Sequence, residues 1–189
     1  SLPAWMPHKA GQHYDIRITA AGGHEAIRDY SVASAPEEKG VVEFGVQLLQ
    51  GGEVSPYLMN RTVGDTIEMR GPSGGHFVWE ATSPEPLVLI GGGSGMVPLL
   101  SMLRHYCEGS REQEVIVIVS AKTLAHVVVY DELTAYAQEN PKLSLHITLT
   151  RQTPQGWQGN TGRWTVDIIR KNITTRKLPR IYVCGPTPF

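Results

Sequence analysis

Gly91-Gly92-Gly93-Ser94-Gly95-Met96-Val97-Pro98 follows the unbroken apolar run 87–90 and leads into a helical candidate at 97–106. A glycine loop at a strand-to-helix junction can turn its backbone amides toward a phosphate, at the positive end of the helix. The dinucleotide fingerprint G-x-G-x-x-G does not fit, because Met96 or Pro98 takes the last glycine position, depending on the register. A Walker loop does not fit either, since no Gly-Lys-Ser/Thr follows. What remains is an anion-binding loop or a purely structural tight turn. Working outward, further apolar runs lie at 115–119, 143–149 and 181–183, with helical candidates at 130–138 and 165–171. Strands buried on both faces and alternating with helices predict an α/β doubly wound parallel sheet.

Before residue 81 the pattern is different. Tyr14, Ile16 and Ile18 alternate with Asp15, Arg17 and Thr19, and Val42, Phe44, Val46 and Leu48 alternate with Glu43, Gly45 and Gln47. Ile67 and Met69 repeat that period. With turns at Ala21-Gly22-Gly23, Glu38-Lys39-Gly40 and Gly64-Asp65, this predicts short antiparallel strands forming a small β-barrel or sandwich. One short helix is expected, with Ser55 as N-cap and Pro56 in its first turn. Ala81-Thr82-Ser83-Pro84-Glu85-Pro86 reads as a linker, since its prolines discourage regular structure. The expected domains are therefore 1–82 and 86–189.

At 189 residues the chain can bury two small cores. A net charge of −1 argues against nucleic acid or an anionic membrane as partner. No apolar run is long enough to span a bilayer, and no signal peptide is read at the start. The 2 cysteines, Cys107 and Cys184, fall in different elements and read as reduced thiols of a cytoplasmic protein. They are too few to ligate a four-thiolate iron–sulfur cluster, so any such cluster would belong to a partner or another part of the polypeptide. No metal site is expected within this chain.

The residues that could carry chemistry form four groups. Arg28, Tyr30 and Ser31 place a planar cation, a flat aromatic and a hydroxyl on one extended segment, suited to a phosphate, a heteroaromatic ring and a ring nitrogen. An exposed cation beside a core tyrosine and a surface serine is the plainer alternative. Gly51-Gly52-Glu53-Val54-Ser55-Pro56 leads two glycines into a helix start, which makes either an anion site or a simple hairpin turn. After the strand at 115–119, Ser120 and Lys122 stand where an acidic residue would hold a ribose hydroxyl. They favour a 2′-phosphate, with Arg151 as a second cation; solvated loop charges are the alternative. Finally, Cys184-Gly185-Pro186 ends the last strand at the carboxyl edge, where open α/β sheets bind ligands, although free cysteines are more often small core residues. A chain holding two nucleotide cofactors against each other would transfer electrons.

In this order the motifs resemble those of the ferredoxin–NADP reductase superfamily, nearest to the flavin reductase components of bacterial oxygenases. The family's R-x-Y-S matches Arg28, Tyr30 and Ser31, and its G-x-x-S matches Gly52, Val54 and Ser55 around Glu53. Its G-P-x-G-x-F turn looks like Gly71-Pro72-Ser73-Gly74-Gly75-His76-Phe77 with one extra residue. G-G-G-T-G-x-x-P matches 91–98 with Ser94 for threonine, and C-G-P matches Cys184, Gly185 and Pro186.

The resemblance implies an N-terminal antiparallel Greek-key β-barrel that binds FAD, followed by a doubly wound parallel α/β domain that binds NAD(P). It implies that Arg28 and the Gly52–Val54–Ser55 turn hold FAD phosphates, that Tyr30 flanks the flavin and that Ser31 lies near N5. Backbone around Val46 would line the same site. Gly93, Ser94 and Gly95 would take the dinucleotide pyrophosphate, Cys184, Gly185 and Pro186 would sit beside the nicotinamide, and Ser120, Lys122 and Arg151 would select NADPH over NADH. Ser31 and Cys184 would be the catalytic residues. The implied activity is that of a flavin-dependent NAD(P)H oxidoreductase, passing hydride to FAD and then electrons to a one-electron carrier. That carrier would be a ferredoxin, iron–sulfur or haem protein, or a fused domain. A diaphorase-like reductase of small acceptors and a non-catalytic flavin-binding redox sensor are the competing readings. The family pattern also implies further segments at both ends: a barrel strand before 9–12, and a helix and terminal segment after Pro186.

Overall fold

The computed structural model describes residues 6–19, 22–109 and 112–186. Of the turn expected at Ala21-Gly22-Gly23, Ala21 lies outside the described residues. The antiparallel half is built on β1 (His13–Thr19), β2 (Glu25–Ser31) and β3 (Glu68–Ser73), in the order β2-β1-β3. Alternation places Tyr14, Ile16 and Ile18 on one buried face of β1. Ile16, Ile18, Ala26 and Val54 form a small core, packed by Tyr30, Phe44, Tyr57, Leu58 and Met69.

Two expectations shift here. Helix α1 (Val54–Met59) has Glu53, not Ser55, at its N-cap. Val54 enters the core, which starts the helix two residues early, and Ser55 Oγ instead accepts a bond from the Leu49 amide at 3.0 Å. The segment 42–48 forms no named strand; Phe44 makes one isolated bridge to Val32. Glu43 directs its backbone to the neighbouring loop, accepting from the Ala33 amide at 2.8 Å and donating to Ser34 Oγ at 3.2 Å.

The second half contains β4 (Leu87–Gly92), α2 (Met96–Glu108), β5 (Val115–Ala121), α3 (Tyr130–Glu139), β6 (Leu143–Leu149), β7 (Asn160–Thr161), α4 (Val166–Asn172) and β8 (Arg180–Cys184). Its five-stranded sheet runs β7-β6-β5-β4-β8, and every pairing is parallel. The sheet is covered on both faces. Leu87, Leu89, Val115, Val117 and Val119 pack with Leu99, Leu103 and Leu133 of α2 and α3. Val88, Ile90, Ile116 and Ile118 pack instead with Trp164, Ile169 and Ile173 around α4. Two buried faces account for the lack of polar alternation in β4 and β5.

Helix α2 is the wedge between the halves. Met96 to Leu103 are buried all round, because one side meets the sheet and the other meets the antiparallel half. A side chain at Gly45 would run into Val97, and one at Gly11 into Met102 and the Phe77 carbonyl. Ala10, Ala33 and Trp79 join the main core from the first half, and the Tyr182 hydroxyl donates to the Val78 carbonyl at 2.6 Å.

Candidate functional site at the junction of the halves

Chain order reverses at β4: β5, β6 and β7 follow on one side of it and β8 returns on the other. Ligands of open α/β sheets bind at the carboxyl ends of strands at such a reversal. Here the loop after β4 meets the residues after β8. Gly91 pairs with Cys184, and a side chain at Gly95 would collide with the Cys184 carbonyl and the Gly185 amide. Gly93 has φ 53°, a left-handed conformation that favours glycine, and open space where a side chain would point. The chain backbone is therefore bare at this edge.

A cavity of about 750 Å³ opens there, within the size range of ligand clefts. Its walls come from both halves: Gly45, Val46 and Gln47 from one, and the ends of β4, β5, β6 and β8 from the other. Of the residues singled out in the sequence, it gathers Val46, Gly93, Ser94, Ser120, Lys122, Arg151 and Pro186. The Lys122 carbonyl accepts from the Arg151 amide at 3.0 Å, which seats both cations at adjacent strand ends. Cys184, Gly185 and Gly95 are not among its lining residues, although Gly95 abuts the Cys184–Gly185 peptide. Burial raises the Cys184 thiol above its ordinary value, so it stays protonated at neutral pH.

Several lining residues were not picked out from the sequence, notably Arg163, Trp164, Thr150 and His126. Arg163 follows β7, a strand of only two residues that shows no period. Thr148 Oγ1 donates to the Gly162 carbonyl at 2.6 Å, and the Gly162 amide donates to Leu149, so β6 carries Arg163 to the cavity. Trp164 Nε1 donates to the Val119 carbonyl at 3.2 Å. The signal available was a glycine before Arg-Trp near a strand end. Val129, next to the lining residues 125–128, has φ 49°, a strained value for a β-branched residue.

Arg28, Tyr30, Ser31, Gly52, Val54 and Ser55 form a separate group on the antiparallel half. Helix α1 packs on β1 and β2, which brings its first turn to the strand carrying Arg28. Arg28 is exposed and donates to the Ile27 carbonyl at 2.6 Å. Arg28 and Tyr30 stand two residues apart on β2 and so share a face; burial raises the Tyr30 phenol, and the Arg28 charge offsets part of that rise. Tyr30 is half-buried, edge-on to Phe44 with ring centroids 6.5 Å apart. Val54 is core and presents only its backbone. These residues fit a flavin dinucleotide: an accessible aromatic for a ring, an outward guanidinium and the first amides of a helix for phosphates.

The backbone after Ser31 is held tightly. The Ser34 carbonyl accepts from Ser101 Oγ at 2.7 Å and from His8 Nε2 at 3.1 Å. Because a carbonyl only accepts, Nε2 carries the proton; His8 Nδ1 is buried with no partner among the described residues. Arg104 of α2 reaches Glu132, Glu43 and the Ala33 carbonyl. Burial alone would raise the Glu132 carboxyl, but the Arg104 fork outweighs it and holds the group below its usual range. Elsewhere, His13, Asp15 and Asp29 place one ligand atom each within 4.8 Å of one another, on the β1–β2 ladder and outside the cavity.

Residues 89–189 match the oxidoreductase NAD-binding domain, and residues 4–79 match the oxidoreductase FAD-binding domain. NADH-cytochrome b5 reductase 1 of Lodderomyces elongisporus is 29% identical over 182 residues, covering 95% of this chain and 60% of the relative. The propane 2-monooxygenase reductase component of Gordonia sp. is 31% identical over 196 residues, covering 99% of this chain and 54% of the relative. The chain thus spans a little over half the length of such relatives. The crystal structure of a ferredoxin NADP+ reductase from Neisseria gonorrhoeae, with bound FAD and NADP, superposes with a TM-score of 0.80 at 25% identity. That match covers 100% of this chain and 78% of the other. With the parallel sheet, its bare glycine edge and the antiparallel half all accounted for, the chain belongs to the oxidoreductase family that joins an FAD-binding domain to an NAD-binding domain.

Proposed function

We propose that this chain is the catalytic portion of an FAD-dependent NAD(P)H oxidoreductase that delivers electrons to a one-electron carrier with an iron–sulfur or haem centre. The observation that carries this reading is a cleft walled by both halves, with Val46 on one side and Gly93, Ser94 and Pro186 on the other. When bound, FAD supplies a two-electron acceptor that can release electrons singly. The chain's own work is alignment and exclusion of water. Arg28 and the amides of the Gly52–Val54–Ser55 turn bind phosphate, Tyr30 flanks the ring, and the Ser31 hydroxyl orients its reacting edge. Gly93, Ser94 and Gly95 admit the nicotinamide dinucleotide's pyrophosphate. Cys184, a neutral thiol at the β8 end, positions the nicotinamide with Gly185 and Pro186.

Ser120, Lys122 and Arg151 favour NADPH by offering a hydroxyl and two cations to a 2′-phosphate, and Arg163 adds a third cation to that wall. The relatives named as NADH-cytochrome b5 reductases support NADH as the competing donor. Their names, with that of the monooxygenase reductase component, support haem and oxygenase proteins as the class of acceptor. No described helix is long and apolar enough to cross a membrane, and the reduced thiols Cys107 and Cys184 support a cytoplasmic location. The prolines of 81–86 support a division into domains 1–82 and 86–189. The test is a comparison of kcat/KM for NADPH and NADH in the FAD-loaded chain, before and after Lys122→Ala and Arg151→Ala. A selective fall for NADPH of about tenfold per cation is expected; equal effects on both donors would refute the NADPH assignment.

A further inference from the structure

Two side chains of α2 cross to the backbone that directly follows Ser31. Ser101 Oγ donates to the Ser34 carbonyl at 2.7 Å, and both residues are fully buried. Arg104 Nη1 donates to the Ala33 carbonyl at 3.0 Å and to Glu43 Oε2 at 2.6 Å. The other edge of the guanidinium forks onto Glu132 of α3, through Nε at 2.6 Å and Nη2 at 2.8 Å. Helix α3 therefore fixes the angle of the group while its remaining donors reach into the antiparallel half. The side chain is only 13% exposed, so salt screens these bonds little. From the other side the same segment is held by Val32 N donating to Gln12 O at 2.9 Å and Ala33 N donating to Glu43 O at 2.8 Å.

Helix α2 begins at Met96, immediately after the glycine loop. Arg104 lies about 12 Å along the helix from that start, three residues from Ser101 and on the same face. The phosphate-facing loop and the end of β2 are thereby tied to one stiff rod. Adhesion between the halves is already provided by apolar contacts of Val97 and Met102. A buried fork adds direction rather than bulk attraction.

We propose that Arg104, with Ser101, is a positioning residue for hydride transfer, setting where the Ser31 end of β2 stands relative to the nicotinamide side of the cleft. The inference rests on the flavin reading above. Reacting atoms tolerate little misplacement: an error of about 1 Å can cost about a hundredfold in rate.

The test uses the FAD-loaded full chain and Arg104→Gln, mixed anaerobically with saturating NADPH, together with amide hydrogen exchange over residues 31–36 measured without nucleotide. Exchange there is expected to quicken, and flavin reduction at saturation to slow, by about tenfold or more. Nucleotide Kd and FAD occupancy should stay within about twofold, a split that simple weakening of the fold would not produce. Arg104→Lys keeps the charge without the fork and is expected to recover only part of the rate. An unchanged reduction rate, unchanged exchange, or a slowing traced wholly to weaker nucleotide binding would overturn the proposal. If Arg104→Gln loses FAD or fails to fold, Ser101→Ala decides: several-fold slower reduction supports the proposal and an equal rate overturns it. An unsubstituted chain that neither NADPH nor NADH can reduce would overturn the flavin reading as well. Equal reduction with and without Arg104 would overturn this inference alone.

Discussion

Gly95 and Arg163 mark what single residues in the sequence disclose and what they hide. The glycine loop reads directly as an anion-facing turn, but Gly95 has a second constraint: the Cys184 carbonyl fills the space a side chain would need. That neighbour is far away in sequence, so no local pattern reveals it. Gly95→Ala should lower stability by about 1–3 kcal/mol and weaken nucleotide binding, because the β8 backbone must move. Urea unfolding and a titration with NADP+ would measure both, and a variant matching the parent in each would remove this role. Arg163 carries no periodic signal, because β7 before it contributes only Asn160 and Thr161. Its cavity position predicts that Arg163→Ala raises KM for NADPH several-fold more than KM for NADH, as steady-state kinetics would show.

Among the elements, those whose burial is settled within their own half were legible in the sequence. The apolar run 143–149 is β6 itself, and β5 extends the run 115–119 by two residues at the carboxyl end. Both faces of β5 are buried, so hydrophobicity alone marks it, whereas β6 is marked by Leu143, Leu145, Ile147 and Leu149 alternating with Ser144, His146 and Thr148. The segment 42–48 was not legible. Its alternation predicts a strand, yet Glu43 bonds to the 33–34 loop and Gly45 abuts Val97, contacts settled by the meeting of the halves. Similarly, Ser55 has the composition of an N-cap, but burial of Val54 moves the N-cap to Glu53. The central place of α2 gives a direct contrast. Leu103→Ala, at 0% exposure, should cost about 2–5 kcal/mol in urea unfolding. Val166→Ala on α4, at 62% exposure, should stay within about 0.5 kcal/mol. Similar costs for the two would contradict the assignment of α2 to the shared core.

For the molecule as a whole, the two-domain architecture was legible in the change of period near residue 81, whereas the packing of the halves was not. That packing buries groups with a pH consequence. Burial lowers His8 below the ordinary value of 6.5 despite its bond to the Ser34 carbonyl, and burial also lowers His146. The folded state thus holds both rings neutral more strongly than the unfolded chain does. Their contribution is complete above 6.5 and is lost as pH falls from there through the lower folded values. Melting temperature should therefore drop between about pH 7 and pH 5, by roughly 2–4 °C per kcal/mol lost. His8→Gln should flatten that slope in a calorimetric series, and an unchanged slope would contradict it. The central claim is that a cleft between an FAD-binding half and an NAD-binding half passes electrons from one nucleotide to the other. It is tested most directly by anaerobic stopped-flow mixing of the FAD-loaded chain with NADPH or NADH. Rapid bleaching of the oxidised flavin absorbance is the predicted result; absorbance that persists with both donors would contradict the account.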